Sequence, residues 1–445
     1  MRTRRTTAAF AVVGGLCLSA QYARAQQPPD SITRRQQRAI DSLSAAMRAM
    51  QSQLDSLVRA PSASAAAPAA AQPRTTGAYM NVSFVGLTDF GWSTEPNVPA
   101  LQVGDHDPHV RGFTIPNAEL ALDGTVDPYF KGFANIVYKI DRLGETNVEL
   151  EEMYLLSSSL PKNLQLKAGQ YFVDFGRQNT QHPHAWAFAD EPLVLNRMFG
   201  PDGLRSQGVR LSWLAPTSWY TEAMVSVVNS AGATTSSFRS DESTEIHGGR
   251  LLEREVLRAS DMLIVPRLAT SFDLTETQTV VVGASAALGP NNSGPDASTQ
   301  IYGVDLYWKW KSPTAHQGFP FVSFQSEAMT RSYDAAARIS AETPAVTLPA
   351  ETLKDQGAYA QLLWGIKPLL VAGIRGGFVS GDAAAFDSEL RADRSRLSTD
   401  LTWFPSEFSK FRVQYNFDHR KGIGNDHSLW FQLEFLMGAH AAHKF

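Results

Sequence analysis

From residue 78 onward, apolar and polar positions alternate with a period of two, the signature of strands with two different faces. The clearest run is 301–311. There Tyr302, Val304, Leu306, Trp308 and Trp310 share one face, and Gly303, Asp305, Lys309 and Lys311 fall on the other. Residues 130–141 repeat the pattern, with Phe130, Ala134, Ile136, Tyr138 and Ile140 against Lys131, Asn135, Lys139 and Asp141. In 357–366, Ala358, Ala360, Leu362, Trp364 and Ile366 oppose Tyr359 and Gln361. Sixteen such segments are expected, starting near residues 78, 111, 129, 146, 164, 206, 219, 259, 278, 299, 318, 355, 368, 392, 410 and 428. No stretch reaches 18 consecutive apolar residues, which excludes a bundle of membrane-spanning helices.

The links between segments divide by length. Those near 124–128, 160–163, 215–218, 274–277, 312–317, 367–368 and 405–409 are short, whereas 93–110, 177–205, 231–258, 290–298 and 334–354 are long. Short turns at one end and long loops at the other are the habit of transmembrane barrels. The fold expected is therefore all-β: a transmembrane antiparallel β-barrel of about 16 strands occupying 78–445. The last segment places Leu429, Phe431, Leu433, Phe435, Met437, Ala439 and Ala441 in parity with Phe445. An alternating final strand that ends on an aromatic resembles the address of bacterial outer-membrane barrels. A secreted β-sandwich or β-solenoid is the alternative, but it has no need of aromatic-rich faces in nearly every strand.

Ahead of the barrel the pattern is different. Ile40, Leu43, Met47, Met50, Leu54 and Leu57 are spaced 3, 4, 3, 4, 3, predicting a short coiled-coil helix within 26–59. One amphipathic helix lying on the body of the protein is the other reading. Residues 60–77 are rich in Ala and Pro and read as a linker. Residues 1–25 combine Arg2, Arg4 and Arg5, an apolar run over 8–20 and Ala23-Arg24-Ala25, predicting a secretory signal peptide cut before Gln26. Removing its four arginines and no acid takes the net charge from −4 to −8. The single cysteine, Cys17, leaves with it, which suits an oxidising compartment and excludes a disulfide framework. A mean hydropathy of −0.21 and aromatics at 10% exclude disorder throughout.

In this register the inward faces are polar and of mixed sign. Basic residues expected to line the lumen include Lys131, Lys139, Lys309, Arg331, Arg375, Arg394, Arg396 and Arg412; acidic ones include Glu119, Glu149, Glu151, Asp305, Glu327, Asp400 and Asp418. For any one of them, a lumenal ion pair that braces the wall is the competing role. The third external loop, 177–205, carries Trp186, Phe188, Leu193, Val194, Leu195, Met198 and Phe199, which need something to pack against. Folding back into the lumen would bury them. It would leave Arg177, Asp190, Glu191, Arg197, Asp202 and Arg205 facing water at a constriction. An external cap or a contact between protomers is the alternative.

Histidines raise a metal question. His182 and His184 flank a proline in that loop, and Asp105, His106, Asp107 and His109 cluster in the first loop. Imidazole with carboxylate suits zinc, although a closed site needs four ligands. No nucleophile elbow, phosphate-binding glycine loop or HExxH motif occurs, so no enzyme activity and no cofactor are expected. The acidic balance argues against nucleic acid as a partner.

Leu166-Lys167-Ala168-Gly169-Gln170-Tyr171-Phe172, running to Phe175-Gly176-Arg177 ahead of the long loop, resembles the corresponding strand of the phosphate-selective porins of Gram-negative bacteria. That resemblance implies a trimer in the cell outer membrane, with the N-terminal helix in the periplasm and passive uptake of small anions or other small hydrophilic solutes. Gly112 to Pro116, Val148-Glu149-Leu150-Glu151-Glu152 and His182-Pro183-His184-Ala185-Trp186 are also similar to proteins labelled zinc-regulated outer-membrane receptors, which implies metal-linked uptake. A diffusive channel and a binding receptor are thus the two classes in play.

Overall fold

A computed structural model describes residues 80–438 apart from 142–143, 159, 241–242, 251, 253–255 and 387. The expected signal peptide over 1–25, the coiled coil over 26–59, the linker over 60–77 and the terminal aromatic Phe445 lie outside the described residues.

The alternating segments form the strands β1 (Met80–Ser93), β2 (Gly112–Thr125), β3 (Phe130–Ile140), β4 (Thr146–Ser157), β5 (Leu164–Phe172) and β6 (Arg205–Leu214). They continue as β7 (Tyr220–Asn229), β8 (Met262–Thr275), β9 (Gln278–Pro290), β10 (Ser298–His316) and β11 (Phe319–Ala335). A two-stranded ribbon, β12 (Arg338–Ile339) with β13 (Thr347–Leu348), sits within the next loop. The wall then resumes with β14 (Glu351–Lys367), β15 (Leu370–Gly381), β16 (Arg394–Ser406), β17 (Ser409–Arg420) and β18 (Gly424–Gly438). Each wall strand pairs antiparallel with its neighbours, and β1 closes on β18 with Phe90 opposite Phe431. The wall is a closed barrel of 16 strands, and each begins within four residues of the start expected from alternation.

The burial pattern follows the period of two. In β18, Leu429, Phe431, Leu433, Phe435 and Met437 point outward and are exposed, while Ser428, Trp430, Gln432 and Glu434 point in and are buried. Exposed apolar side chains cover the outer surface of nearly every strand, an arrangement stable against lipid rather than water. Aromatic residues concentrate towards the rims. Phe90 meets Trp92 and Phe113 at ring distances of 4.6 and 4.4 Å near the loop end, and Trp403 stacks on Phe411 at 5.7 Å near the turn end. These are the girdles of a membrane-spanning barrel.

Two irregularities matter for the interior. Between β3 and β4, Asn135 pairs with Glu152 but Ile136 pairs with Leu150, so Glu151 is an extra residue. This bulge turns both Glu151 and Glu152 inward, where they are 1% and 6% exposed. Between β1 and β2 the register slips around Ile115 and Pro116, the kind of position a strand proline tolerates.

Candidate functional site in the barrel lumen

Residues 173–204, between β5 and β6, fold into the barrel. The helix Leu193–Phe199 packs on the inner faces of β11, β14 and β15. Val194, Leu195, Met198 and Phe199 are buried among Tyr171, Phe175, Ile301, Met329, Tyr359 and Val379. At the loop's entrance, Gly176 takes φ +60° and lies so close to Glu327 that a Cβ would collide with the carboxylate. Glu327 Oε1 in turn accepts from the Gln178 backbone N–H at 2.7 Å and from the Tyr359 hydroxyl at 2.8 Å.

Asp190, Glu191, Arg197 and Arg205, expected from sequence to face water, are instead buried, and Asp190 and Arg197 pair with charges on the wall; Arg177 and Asp202 stay partly exposed. Asp190 is fully buried. It accepts from Arg375 of β15, from Arg396 of β16 at 2.7 Å, and from Gln414 and Asn416 of β17 at 2.9 and 2.8 Å. Burial works against its charge, but the two guanidiniums outweigh it and hold the Asp190 carboxyl down at about 2. Arg197 donates to Asp355 at 3.1 Å, a carboxylate that Arg331 and Arg391 also contact at 2.7 and 3.2 Å. Arg412 donates to the Trp186 carbonyl, and Lys410 to the His184 carbonyl, both at 2.8 Å. Arg394 and Arg396 share Asp418 and both reach the Leu101 carbonyl, tying down the first loop. Mixed sign in the lumen thus resolves into a network in which wall cations grip the Asp190 carboxylate and loop carbonyls, while the loop's Arg197 joins a wall carboxylate.

The second focus joins the first loop, the third loop and the bulge of β4. His182 bonds Glu151 through Nδ1 and Glu152 through Nε2, each at 2.9 Å. His184 Nδ1 lies 3.0 Å from Glu119, and the two imidazoles stack at 5.8 Å. His106 Nε2 faces Asp202 Oδ1 at 3.4 Å and Glu151 Oε1 at 3.5 Å. Lys139 bridges Asp105 and Glu149, and Arg205 contacts Glu149 and Asp202. Burial opposes protonation of His106 and His182, yet the surrounding carboxylates raise both imidazoles well above their ordinary value. Nearby, Glu191 is buried facing Asp107. Burial first, then the Asp107 charge, pushes Glu191 well up; burial first, then the Asp190 charge, raises Asp107 to about 6.

No established protein-family profile matches the chain. An uncharacterized protein of Aquifex aeolicus (strain VF5) is 32% identical over 382 residues, which span 79% of this chain and 75% of that protein. The chain belongs to the same family as that protein. Among solved structures, the anion-selective porin from Comamonas acidovorans superposes with a TM-score of 0.53 at 7% identity, covering 81% of this chain and all of that one (100%). The outer membrane channel DcaP of Acinetobacter baumannii gives a TM-score of 0.51 at 13% identity, covering 83% and 100%. At such identities the likeness is one of fold.

Within this member of the family, the residues singled out from sequence separate into groups. Asp190, Arg197, Arg331, Arg375, Arg394, Arg396 and Arg412 converge on the infolded segments. Arg177 and Lys309 instead line a cavity of about 600 Å³ with Lys410 and Arg412. There Arg177 lies over the Tyr307 ring at 4.0 Å, and Lys309 over Phe321 at 4.9 Å. Lys131 stands apart from both groups, exposed at the turn end of β3. Of the metal candidates, Asp105, His106, His182 and His184 join one cluster, whereas Asp107 turns away to accept from the Gly104 and Glu191 backbone N–H groups at 3.1 and 2.8 Å. Among the described residues, His109 hydrogen-bonds its own loop, at the Asp107 carbonyl. Glu152, Asp355 and Lys410 were missing from the expected site. Only the bulge puts Glu152 inside, but the parity of β14 and β17 does point Asp355 and Lys410 inward.

Proposed function

We propose that the protein is an outer-membrane channel for passive diffusion of small hydrophilic solutes, with residues 173–204 as its constriction and a preference for anions. The observation that carries this reading is the cavity beside the infolded loop. Arg177, Lys309, Lys410 and Arg412 contribute to its lining, and Asp400 is the one carboxylate among the lining residues. Fixed cations on low-dielectric walls raise the local anion concentration, and basic pore linings are the usual device for anion and phosphate pores. The exposed apolar outer surface and its aromatic rims support residence in the outer membrane of a Gram-negative cell. Assembly into trimers belongs to the same reading, supported by the heptad seam from Ile40 to Leu57 ahead of the barrel.

The test is single-channel recording of the full-length protein in a planar bilayer under a KCl gradient, with phosphate added afterwards. Stable conductance with an anion-selective reversal potential, reduced by phosphate, is expected. A folded, inserted barrel that passes no current would overturn the channel, and a cation-selective potential would overturn the anion preference. Metal-linked uptake is the second reading; in its favour, His106 and His182 converge on the bulged glutamates inside the barrel, with His184 stacked on His182 and bonded to Glu119.

A further inference from the structure

His106 is 5% exposed, and its two ring nitrogens have unlike surroundings. Nδ1 lies 3.3 Å from the Pro116 carbonyl oxygen, at the irregular stretch of β2. A carbonyl only accepts, so Nδ1 carries a proton and Nε2 is left to face the interior of the cluster. Among the described residues Nε2 has no hydrogen-bond partner; what it meets are the Asp202 and Glu151 oxygens at 3.4 and 3.5 Å. Asp202 Oδ1 is buried and likewise has no hydrogen-bond partner. Ligand atoms of Asp105, His106 and Asp202 all lie within 4.8 Å of one another.

A lone pair and carboxylate oxygens converging at these separations repel unless positive charge sits among them. Two fixed cations, Lys139 and Arg205, face Asp105, Glu149, Glu151 and Asp202 here, with Glu119 and Glu152 close behind on His184 and His182. The cluster therefore carries more negative charge than its fixed cations balance. An imidazole held by a backbone carbonyl on one nitrogen, with carboxylates gathered at the other, is the donor set and outer support that suit a zinc-class ion.

We propose that Asp105, His106, Glu151 and Asp202 form a lumenal binding site for one divalent transition-metal ion of the zinc class. The site draws its ligands from the first loop, the bulge of β4 and the segment before β6, so an ion bound there ties three separate parts of the chain together inside the barrel. A metal-free site takes a proton on His106 Nε2 in the ion's place, and binding releases that proton to solvent. The inference does not depend on conduction, because a barrel that passes no current would still take up the ion.

The experiment is equilibrium dialysis of the folded full-length protein in detergent against zinc alone, followed by elemental analysis. Parallel titrations use cobalt(II), whose visible absorption reports an imidazole ligand. One ion per chain is expected. His106→Gln and Asp202→Asn should each weaken binding by about tenfold or more, and His106→Gln should alter the cobalt spectrum. His109→Gln, which changes a histidine outside the cluster, should bind as the parent does. Two results would overturn the site: no zinc above background in the folded parent protein, or undiminished binding in both His106→Gln and Asp202→Asn. Heat-dependent gel migration monitors folding, and the parent measurement stands even if a variant fails to fold.

Discussion

Arg396 of β16 donates from Nη1 to Asp190 of the infolded loop at 2.7 Å, and both side chains are buried. Arg375 holds the same carboxylate from the neighbouring strand, so one loop aspartate is shared by two wall guanidiniums. Removing one member of a buried ion pair leaves an uncompensated charge and costs about 3–5 kcal/mol. Asp190→Asn should therefore release the loop from β15 and β16 while the barrel, held by its strand ladders, stays closed. Single-channel recordings should show larger and noisier current with stronger anion preference. Quiet current of parental size would show that Asp190 does not hold the constriction.

The same carboxylate sets a pH window. Its folded value is lowered from 3.8 to about 2, so its contribution to loop docking is fully present above 3.8 and is lost as pH falls towards 2. Acidification from 7 to 5 should leave this contact intact, and gating noise from it should rise only below pH 4. Recordings across that range in the parent and in Asp190→Asn separate the two, because the variant should lack the acid transition. A transition of equal size in both would assign it to another group.

Selectivity should respond to the basic cavity. Lys309 projects into it over Phe321, with Arg177 on the same wall. Lys309→Glu changes two units of charge; at roughly 6 Å in a water-like medium that amounts to about 1.4 kcal/mol for each monovalent ion, or about tenfold in each local concentration and about a hundredfold in the ratio of anion to cation before salt screening. The reversal potential should move towards cations, and more so at low salt. A potential that stays put would place the selective step elsewhere in the lumen.

Strand number and orientation were legible because alternation is a local property: each inward residue of β16 and β18 follows from parity alone. The infolding of residues 173–204 was legible too, since Val194, Leu195, Met198 and Phe199 are too apolar for an open loop. Their charged neighbours were misjudged for a physical reason. Whether Asp190 faces water depends on Arg375 and Arg396, about two hundred residues away, and no spacing rule links them. The metal candidates split on the same ground. His106 and His182 meet only because the bulge of β4 turns Glu151 and Glu152 to one side, and a bulge breaks the parity on which the reading rests.

Gly176 provides the sharpest test of how the loop is seated. Its φ of +60° is open to glycine at little cost, whereas an L side chain there pays about 1–2 kcal/mol. An added Cβ would also strike the Glu327 carboxylate, which holds the Gln178 backbone N–H and the Tyr359 hydroxyl. Gly176→Ala should therefore displace the loop at its point of entry. Limited proteolysis should then cut within 177–205 while the strands remain protected, and the current should grow noisier. The companion variant Gly176→Ala/Glu327→Ala removes the obstructing carboxylate but not the backbone strain. Partial recovery of protease resistance in that pair would assign the defect to the clash; no recovery would assign it to the left-handed backbone and to the loss of Glu327 as an acceptor.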